Sequence, residues 1–503
     1  MIQQPLFKPQ TEWLPPEDFP DLSKYKEIAI DLETKDPDLI KMGSGSVAKR
    51  GCITGIAVAV EGWSAYYPVA HEGGGNMDKA KVFNYFRTIL KSDATKIFHN
   101  AMYDVCWLRA EGLEINGPIV DTMIATALVD ENRRRYDLNS CSREYIGTGK
   151  DEAALYEAAK DWGVDPKAEM YKLPAMYVGA YAEKDAEITL ELWKYLKQEI
   201  INQDLKSIFS LETDLFPCLV DMRFLGVRVD IQGAHQLKEK LLEEEKECLL
   251  KVKKETSVDV QIWAARSIAQ VFDKLRLPFD RTEKTHSPSF TKNFFQNHAH
   301  PLVKLIARAR EINKAHTTFI DTILKHSHNG RIYSEINQLR SDNGGTVTGR
   351  FSYSNPNLQQ IPARNKELGP AIRSLFIPEE GCKWGVFDYS QQEPRLVVHY
   401  AALQGLYGVN EVVDAYKEGD ADFHSIVADM AEIPRTQAKT INLGLFYGMG
   451  KNKLQAELGV SKDKAEELFK KYHHRVPFVK QLMDNVMYRA QDAGRIRTLL
   501  GRA

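Results

Sequence analysis

The sequence predicts a multidomain protein of α/β and α+β class, on three observations. With 503 residues, 43% of them hydrophobic, the chain can bury several cores and is expected to form roughly two to four domains. Before residue 205, strand-length apolar runs alternate with helical stretches, the pattern of an α/β domain. From about residue 205 to 335 the pattern turns largely helical, and strand and helix signals resume beyond it.

Residues 1–26 are polar and proline-rich and read as an extended lead-in. Residues 26–33, KEIAIDLE, hold the short apolar run of a buried strand, whose end carries Asp31 and Glu33. Alternate strand residues share a face, so the two carboxylates can hold one cation, although acids at a strand end are more often simply solvated. Residues 51–60 and 63–69 follow as the two strands of a hairpin, and Gly73, Gly74 and Gly75 mark a turn. Residues 96–108, KIFHNAMYDVCWL, read as a strand running into a helix, with Asp104 in its first turns, where the helix dipole tolerates a carboxylate. A helix from Tyr181 to about Leu196 puts Tyr181 and Asp185 on one face. Taken singly, each fragment is more often structural than functional.

In the helical stretch, one helix is expected to end at Gly226, with a short extended piece after it. The run 237–247, LKEKLLEEEKE, is charged with an apolar stripe and reads as a solvent-facing helix. Residues 346–364 offer Thr, Arg, Ser, Asn and Gln on irregular backbone, side chains suited to phosphates and minor-groove edges without selecting one base sequence. With Arg340 and Arg373 they make a local basic surface, while Lys366 reads as ordinary surface.

Residues 385–388 are expected to form a strand delivering Asp388 at its end, and Pro394 is placed to open the following helix. Residues 435–448, RTQAKTINLGLFYG, carry Arg435, Lys439, Leu443 and Tyr447 at steps of four along one helical face. Two cations, an apolar spot and a ring match the order of a nucleoside triphosphate's needs; an amphipathic core helix with two surface cations fits the same spacing.

Composition excludes less than the motifs do. A formal net charge of -2 gives no global basic signature, so any nucleic-acid contact must come from local patches. The six cysteines are scattered without a CxxC pair, which argues for reduced thiols rather than disulfides or zinc. No apolar run is long enough for a membrane and no signal-peptide pattern precedes the first domain, so the expected location is the cytoplasm, that of a host if the protein is viral.

The literal strings go further than the spacing. The pattern R-x-x-A-K-x-I-N-x-G-x-x-Y-G at 435–448 resembles the fingers-helix motif of family A DNA polymerases, the bacterial DNA polymerase I type, and DYSQQEPR at 388–395 resembles that family's first palm motif. The resemblance runs from about residue 27 to the end of the sequence, with the motifs in the family's order. It implies a ribonuclease H-like 3′ to 5′ exonuclease domain at 27–204, then a polymerase domain at 205–503 with a thumb at about 205–335, a partial palm at about 336–400 and fingers at about 401–503. D-x-E, N-x-x-x-D and Y-x-x-x-D are similar to the three proofreading motifs of the tyrosine-bearing exonuclease class. By that resemblance Asp31, Glu33, Asp104 and Asp185 bind divalent ions, Mg²⁺ or Mn²⁺, two per active site, and Tyr181 orients the attacking water. Asp121-Thr122-Met123 and the Leu138 region resemble the middle of the exonuclease fold. TVTGRFS at 346–352 and PNLQQIPAR at 356–364 resemble the family's DNA-contacting motifs, which implies DNA binding at Thr348, Arg350, Asn357, Gln359 and Arg364. Asp388 is implied to bind the two catalytic ions of the polymerase site. Glu393 is implied to exclude a ribose 2′-hydroxyl, and Gln391, His424, Arg435, Lys439, Leu443 and Tyr447 to line the nucleotide site. The expected partners are primer-template DNA, a single-stranded 3′ end and deoxynucleoside triphosphates.

Two departures qualify the resemblance. Leu443 stands where the family commonly carries Phe or Tyr, so altered handling of 3′-deoxy analogues is expected. The family's last palm motif, His-Asp-Glu, does not occur, and residues 494–503 resemble the point just before it, so the polymerase domain is expected to be C-terminally incomplete. The expectation is a template-directed, phage-like replicative DNA polymerase with a proofreading exonuclease, whose palm needs a missing segment or a second polypeptide. An exonuclease that binds primer-template without synthesising DNA by itself is the alternative. A noncatalytic replisome-binding module is a third class, and it predicts no metal-dependent digestion.

Overall fold

Ile28, Ala29, Ile30 and Leu32 are all buried, as a strand covered on both faces requires. In the computed structural model, which describes residues 11–502 except 151, 343, 364, 420, 421 and 432, they belong to β1 (Glu27–Lys35). This strand is the centre of a five-stranded sheet with β2 (Cys52–Val60), β3 (Trp63–Pro68), β4 (Thr95–Phe98) and β5 (Ile119–Asp121), in the order β3-β2-β1-β4-β5. β1, β2 and β3 are antiparallel, the hairpin read from the sequence, whereas β4 and β5 run parallel to β1. Strands parallel to one another need a crossover, which α1 (Ala101–Ala110) supplies between β4 and β5.

Three further helices bear on the site. α2 (Thr122–Val129) follows β5 directly, α3 (Leu138–Tyr145) comes next, and α4 (Gly179–Asn202) packs against β1, β2 and β3. α4 runs past the expected end near Leu196 because buried Leu196 and Ile200 keep its apolar stripe in contact with the core.

The chain divides into two compact units between Trp384 and Gly385. The first continues through α5 (Lys206–Leu225), which ends as expected at Gly226. That glycine takes φ +61°, and a β-carbon on it would lie 2.6 Å from the Tyr333 ring. The charged run 237–247 lies in α6 (Ile231–Thr256), with Leu241 turned into the core and Asp230 capping the first turn. α6 packs against α7 (Pro301–Lys314), and a cluster of Phe272, Phe290 and Phe295 fills the space beside them. β6 (Glu335–Asn337) and β7 (Ser352–Ser354) form a short antiparallel pair.

The second unit is helical. α8 (Gln392–Leu403), α9 (Phe423–Ala431), α10 (Arg435–Phe446), α11 (Lys462–Arg475) and α12 (Pro477–Ala493) surround a core containing Val398, Phe423, Val427, Ile441, Leu445, Tyr472 and Phe478. Residues 385–388 do not form the expected strand. A strand is completed by a neighbour that takes its N–H and C=O groups, and among the described residues none pairs with this stretch. Val386 and Phe387 are 89% and 96% exposed in consequence. Among the described residues no helix is long and apolar enough to cross a membrane, and all six cysteines are free thiols.

Candidate active site

β1 carries the first two acids. Asp31 lies opposite Ala57 and Glu33 opposite Gly55 in the ladder with β2, so both carboxylates leave the strand on one side. α4 brings Tyr181 and Asp185, one helical turn apart, against that strand. Carboxylate oxygens of Asp31, Glu33 and Asp185 all lie within 4.8 Å of one another. Asp104, on α1, is not one of this tight trio, but it is buried and close enough for the charge of Asp31 to act on it.

Convergence of acids has an electrostatic signature. Burial, reinforced by Asp185, pushes the Asp31 carboxyl up to about 7. Burial likewise raises Glu33 well above the usual carboxylate range, with Asp31 and Asp185 adding to it, and Asp104 for the same reason, with Asp31 and Asp121 adding. The Tyr181 phenol is also held far above its ordinary value, first by burial and then by Asp185. The donor set fits a hard divalent cation: three carboxylates converge, and Asp185 Oδ1 is buried without a hydrogen-bond partner.

Two supporting residues stand behind the acids. Asp121 accepts from the backbone N–H groups of Asn100 (3.0 Å), Ala101 (2.9 Å) and Met123 (2.8 Å), so one carboxylate fixes the starts of both α1 and α2. Its burial holds its carboxyl at about 6 despite those donors. Lys150 donates to the Tyr181 hydroxyl at 3.0 Å and forms an ion pair with Asp185. Aspartate ahead of Thr122-Met123 is a helix-cap signal legible in the sequence, whereas a lysine in a loop between helices carries no periodicity that would aim it inward.

β6 and β7 join the sheet domain at Glu335. Its carboxylate accepts from Ser44 N (2.9 Å), Asn355 Nδ2 (2.8 Å) and Ser354 Oγ (3.3 Å), and it faces the buried Arg223 guanidinium at 3.5 Å. The loops beyond carry the expected DNA contacts. Thr348 Oγ1 donates to Thr346 Oγ1 (3.2 Å), Gln359 Nε2 donates to Phe351 O (3.0 Å), and Asn357 caps the turn at Leu358–Gln360. Thr348, Arg350, Asn357 and Gln359 are all exposed; Arg364 lies outside the described residues.

In the second unit, Asp388 is exposed on the unpaired stretch ahead of α8. Gln391, in the left-handed region at φ +54°, accepts from Phe423 N (2.8 Å) and from the Tyr416 hydroxyl (3.1 Å), which ties the start of α8 to that of α9. Glu393 accepts from the Tyr447 hydroxyl at 2.5 Å. Asp422 binds His424 N (3.1 Å), Ser425 Oγ (2.7 Å) and the Arg435 guanidinium; against the opposing pull of burial, these bring its carboxyl down to about 2. His424 is buried against Asn442, at 3.0 Å between side chains, and burial lowers its pKa. Arg435 and Lys439 are exposed one turn apart on α10, while Tyr447 stands one residue past that helix rather than on it. Leu443 lies within α10.

Comparison with known proteins accounts for both regions. Residues 231–503 match the family model for DNA polymerase family A, and residues 11–201 match that for 3′ to 5′ exonucleases. A DNA-directed DNA polymerase of Pseudomonas phage M6 is 35% identical, over all of this chain and 84% of that protein. DNA polymerase DpoZ of Acinetobacter phage SH-Ab 15497 is 30% identical over 96% of this chain and 82% of its own length. DNA polymerase I of Pseudomonas aeruginosa is 29% identical over 96% of this chain and 52% of its own length. The fold also resembles the POL domain of Pol1 from M. smegmatis, solved with DNA primer-template and dNTP, at a TM-score of 0.73 and 22% identity over 95% of this chain and 78% of that one. The chain belongs to DNA polymerase family A and carries a 3′ to 5′ exonuclease domain ahead of its polymerase region.

Proposed function

We propose that residues 27–204 are the proofreading domain of this polymerase and that Asp31, Glu33, Asp104 and Asp185 hold two divalent ions, Mg²⁺ or Mn²⁺. The observation that carries the reading is the meeting of Asp31, Glu33 and Asp185 within 4.8 Å beside Tyr181. Divalent ions bound there would supply an activated water and neutralise charge developing on the scissile phosphate. Tyr181 keeps its phenolic proton and is placed to orient that water by a hydrogen bond. Asp121 acts at one remove, by fixing the start of the helix that carries Asp104. The substrate is a single-stranded DNA 3′ end.

Residues 205–503 are proposed to form the polymerase domain, with the thumb at about 205–335, palm residues at about 336–400 and fingers at about 401–503. Thr348, Arg350, Asn357, Gln359 and Arg364 are assigned to primer-template DNA. Arg435, Lys439 and His424 are assigned to the phosphates of a deoxynucleoside triphosphate, with Gln391, Leu443 and Tyr447 lining the site. Glu393, tethered by Tyr447, crowds the sugar's 2′ position. Asp388 is assigned to the metal ions of synthesis, and one carboxylate is a poor holder for two of them. We infer that a further palm segment or a second polypeptide covers the exposed Val386 and Phe387 with a strand and adds a carboxylate. We propose a cytoplasmic place of action, that of the host if the chain is viral, a reading supported by the phage and bacterial relatives. The family match over 231–503 does not favour an exonuclease that only binds primer-template.

The test is digestion of an end-labelled single strand by the full chain in Mg²⁺. Asp31→Ala with Glu33→Ala should cut the rate by about a hundredfold or more. Undiminished digestion by the double variant sinks the site assignment.

A further inference from the structure

Lys150 enters no step above, yet its placement is built rather than incidental. Its side chain is 14% exposed and faces an Asp185 side chain that is 4% exposed. The ammonium donates to Tyr181 and Asp185 together and stands 4.9 Å from the centre of the Tyr181 ring. Its charge also acts on Asp31 and Glu33, so a cation is already seated where the acids converge. The backbone beneath it is anchored to α3. Lys150 N donates to Asn139 Oδ1 at 3.1 Å, and a β-carbon on Gly149 would lie 2.5 Å from Arg143 Nε. The four-carbon stem above that anchor lets the ammonium swing while its root stays fixed.

We propose that Lys150 is an internal counter-ion of the exonuclease site, seated on Asp185 in the metal-free protein and displaced from it when a divalent ion loads, so that this lysine sets the site's metal affinity. The proposal rests on Asp31, Glu33 and Asp185 being the metal ligands. An ammonium and a divalent ion compete for the same carboxylate lone pairs, and a fixed positive charge in a partly buried site opposes a second cation. Before loading, the same charge offsets the mutual repulsion that would otherwise splay the three acids. Lys150 is thus a positioning residue rather than a catalytic one.

The experiment measures Mn²⁺ binding to the full chain by electron paramagnetic resonance of the free ion. Lys150→Met should tighten the Asp31-dependent Mn²⁺ by about tenfold, the effect of removing one opposing charge worth about one pKa unit of interaction. Lys150→Arg, which keeps the charge, should stay within about twofold of the unaltered chain. Unchanged or weaker binding by Lys150→Met overturns the proposal while leaving the ligand assignment intact. Mn²⁺ binding that Asp31→Ala leaves unaltered overturns both. The unsubstituted protein gives an independent readout if Lys150→Met fails to fold: acetylation of Lys150, followed by mass spectrometry, should rise several-fold when Mn²⁺ replaces chelator. Equal protection in the two conditions rejects the displacement.

Discussion

Replacing Asp31 by Asn should make the metal-free protein more stable at pH 8 and raise its stability much less at pH 5. The folded chain holds the Asp31 carboxyl at about 7, against an ordinary value of 3.8. Between those values the folded state keeps a proton that the unfolded state has released, so the contribution of this group to stability falls as pH rises through the window. At about 1.36 kcal/mol per pH unit, the ceiling on the penalty above pH 7 is about 4 kcal/mol. Asp31 retains partial solvent access, and screening should bring this to about 2 kcal/mol. Asparagine has the same shape and no charge, so it should recover that amount at pH 8, where the aspartate is ionised. At pH 5 the folded aspartate is protonated but the unfolded one is not, so only the stretch from 3.8 to 5 counts and the gain should be about a third of that at pH 8. In a thermal scan of the full chain with chelator, the transition of the unit ending at Trp384 should move up by about 2–3 °C at pH 8, taking about 2.1 cal/mol/K per residue for the unfolding entropy. An unchanged or lowered transition at pH 8, or an equal rise at pH 5, would refute the electrostatic reasoning.

Three other substitutions probe the remaining features. Glu335→Ala strands the buried Arg223 and releases Ser44 and Asn355, which should cost about 3 kcal/mol, seen as a lower midpoint for the first unit. Tyr447→Phe removes the hydroxyl that holds Glu393, and the ratio of ribonucleotide to deoxynucleotide incorporation in primer extension should rise; an unchanged ratio counts against Glu393 as the sugar gate. Leu443→Tyr should shift the preference between dideoxynucleotides and deoxynucleotides, measured by chain termination on a defined template.

Short-range periodicity explains most of what the sequence made legible. Alternation along a strand is enough to put Asp31 beside Glu33, and one helical turn is enough to put Tyr181 over Asp185. Gly226 ended its helix where its string said it would, because only a residue free of a β-carbon fits under Tyr333 there. Contacts between remote segments were not legible. Glu335 meets Ser44 across 291 positions, and Lys150 reaches Asp185 from a loop with no repeating pattern. Residues 385–388 carry a strand's composition but depend on a partner that no local signal supplies, so propensity alone misplaced them. Tyr447 fell off α10 for a local reason instead: Gly448 turns to φ +75° and unwinds the helix just before it.

The step in the β1–β2 ladder shapes what lies beneath Glu33. Glu33 pairs with Gly55 and Thr34 with Ile53, which leaves Thr54 as a surplus residue in β2. Its carbonyl is taken by Val69 and Ala70, and the chain bends so that the Tyr66 phenol slides in where a side chain of residue 55 would stand. His71 then grips the phenol at 2.7 Å. The floor of the acid pocket is therefore a locked pair, a bare α-carbon and the ring that fills its place, and neither can vary alone. Lineages that put even a methyl at position 55 should be found to have surrendered the tyrosine as well.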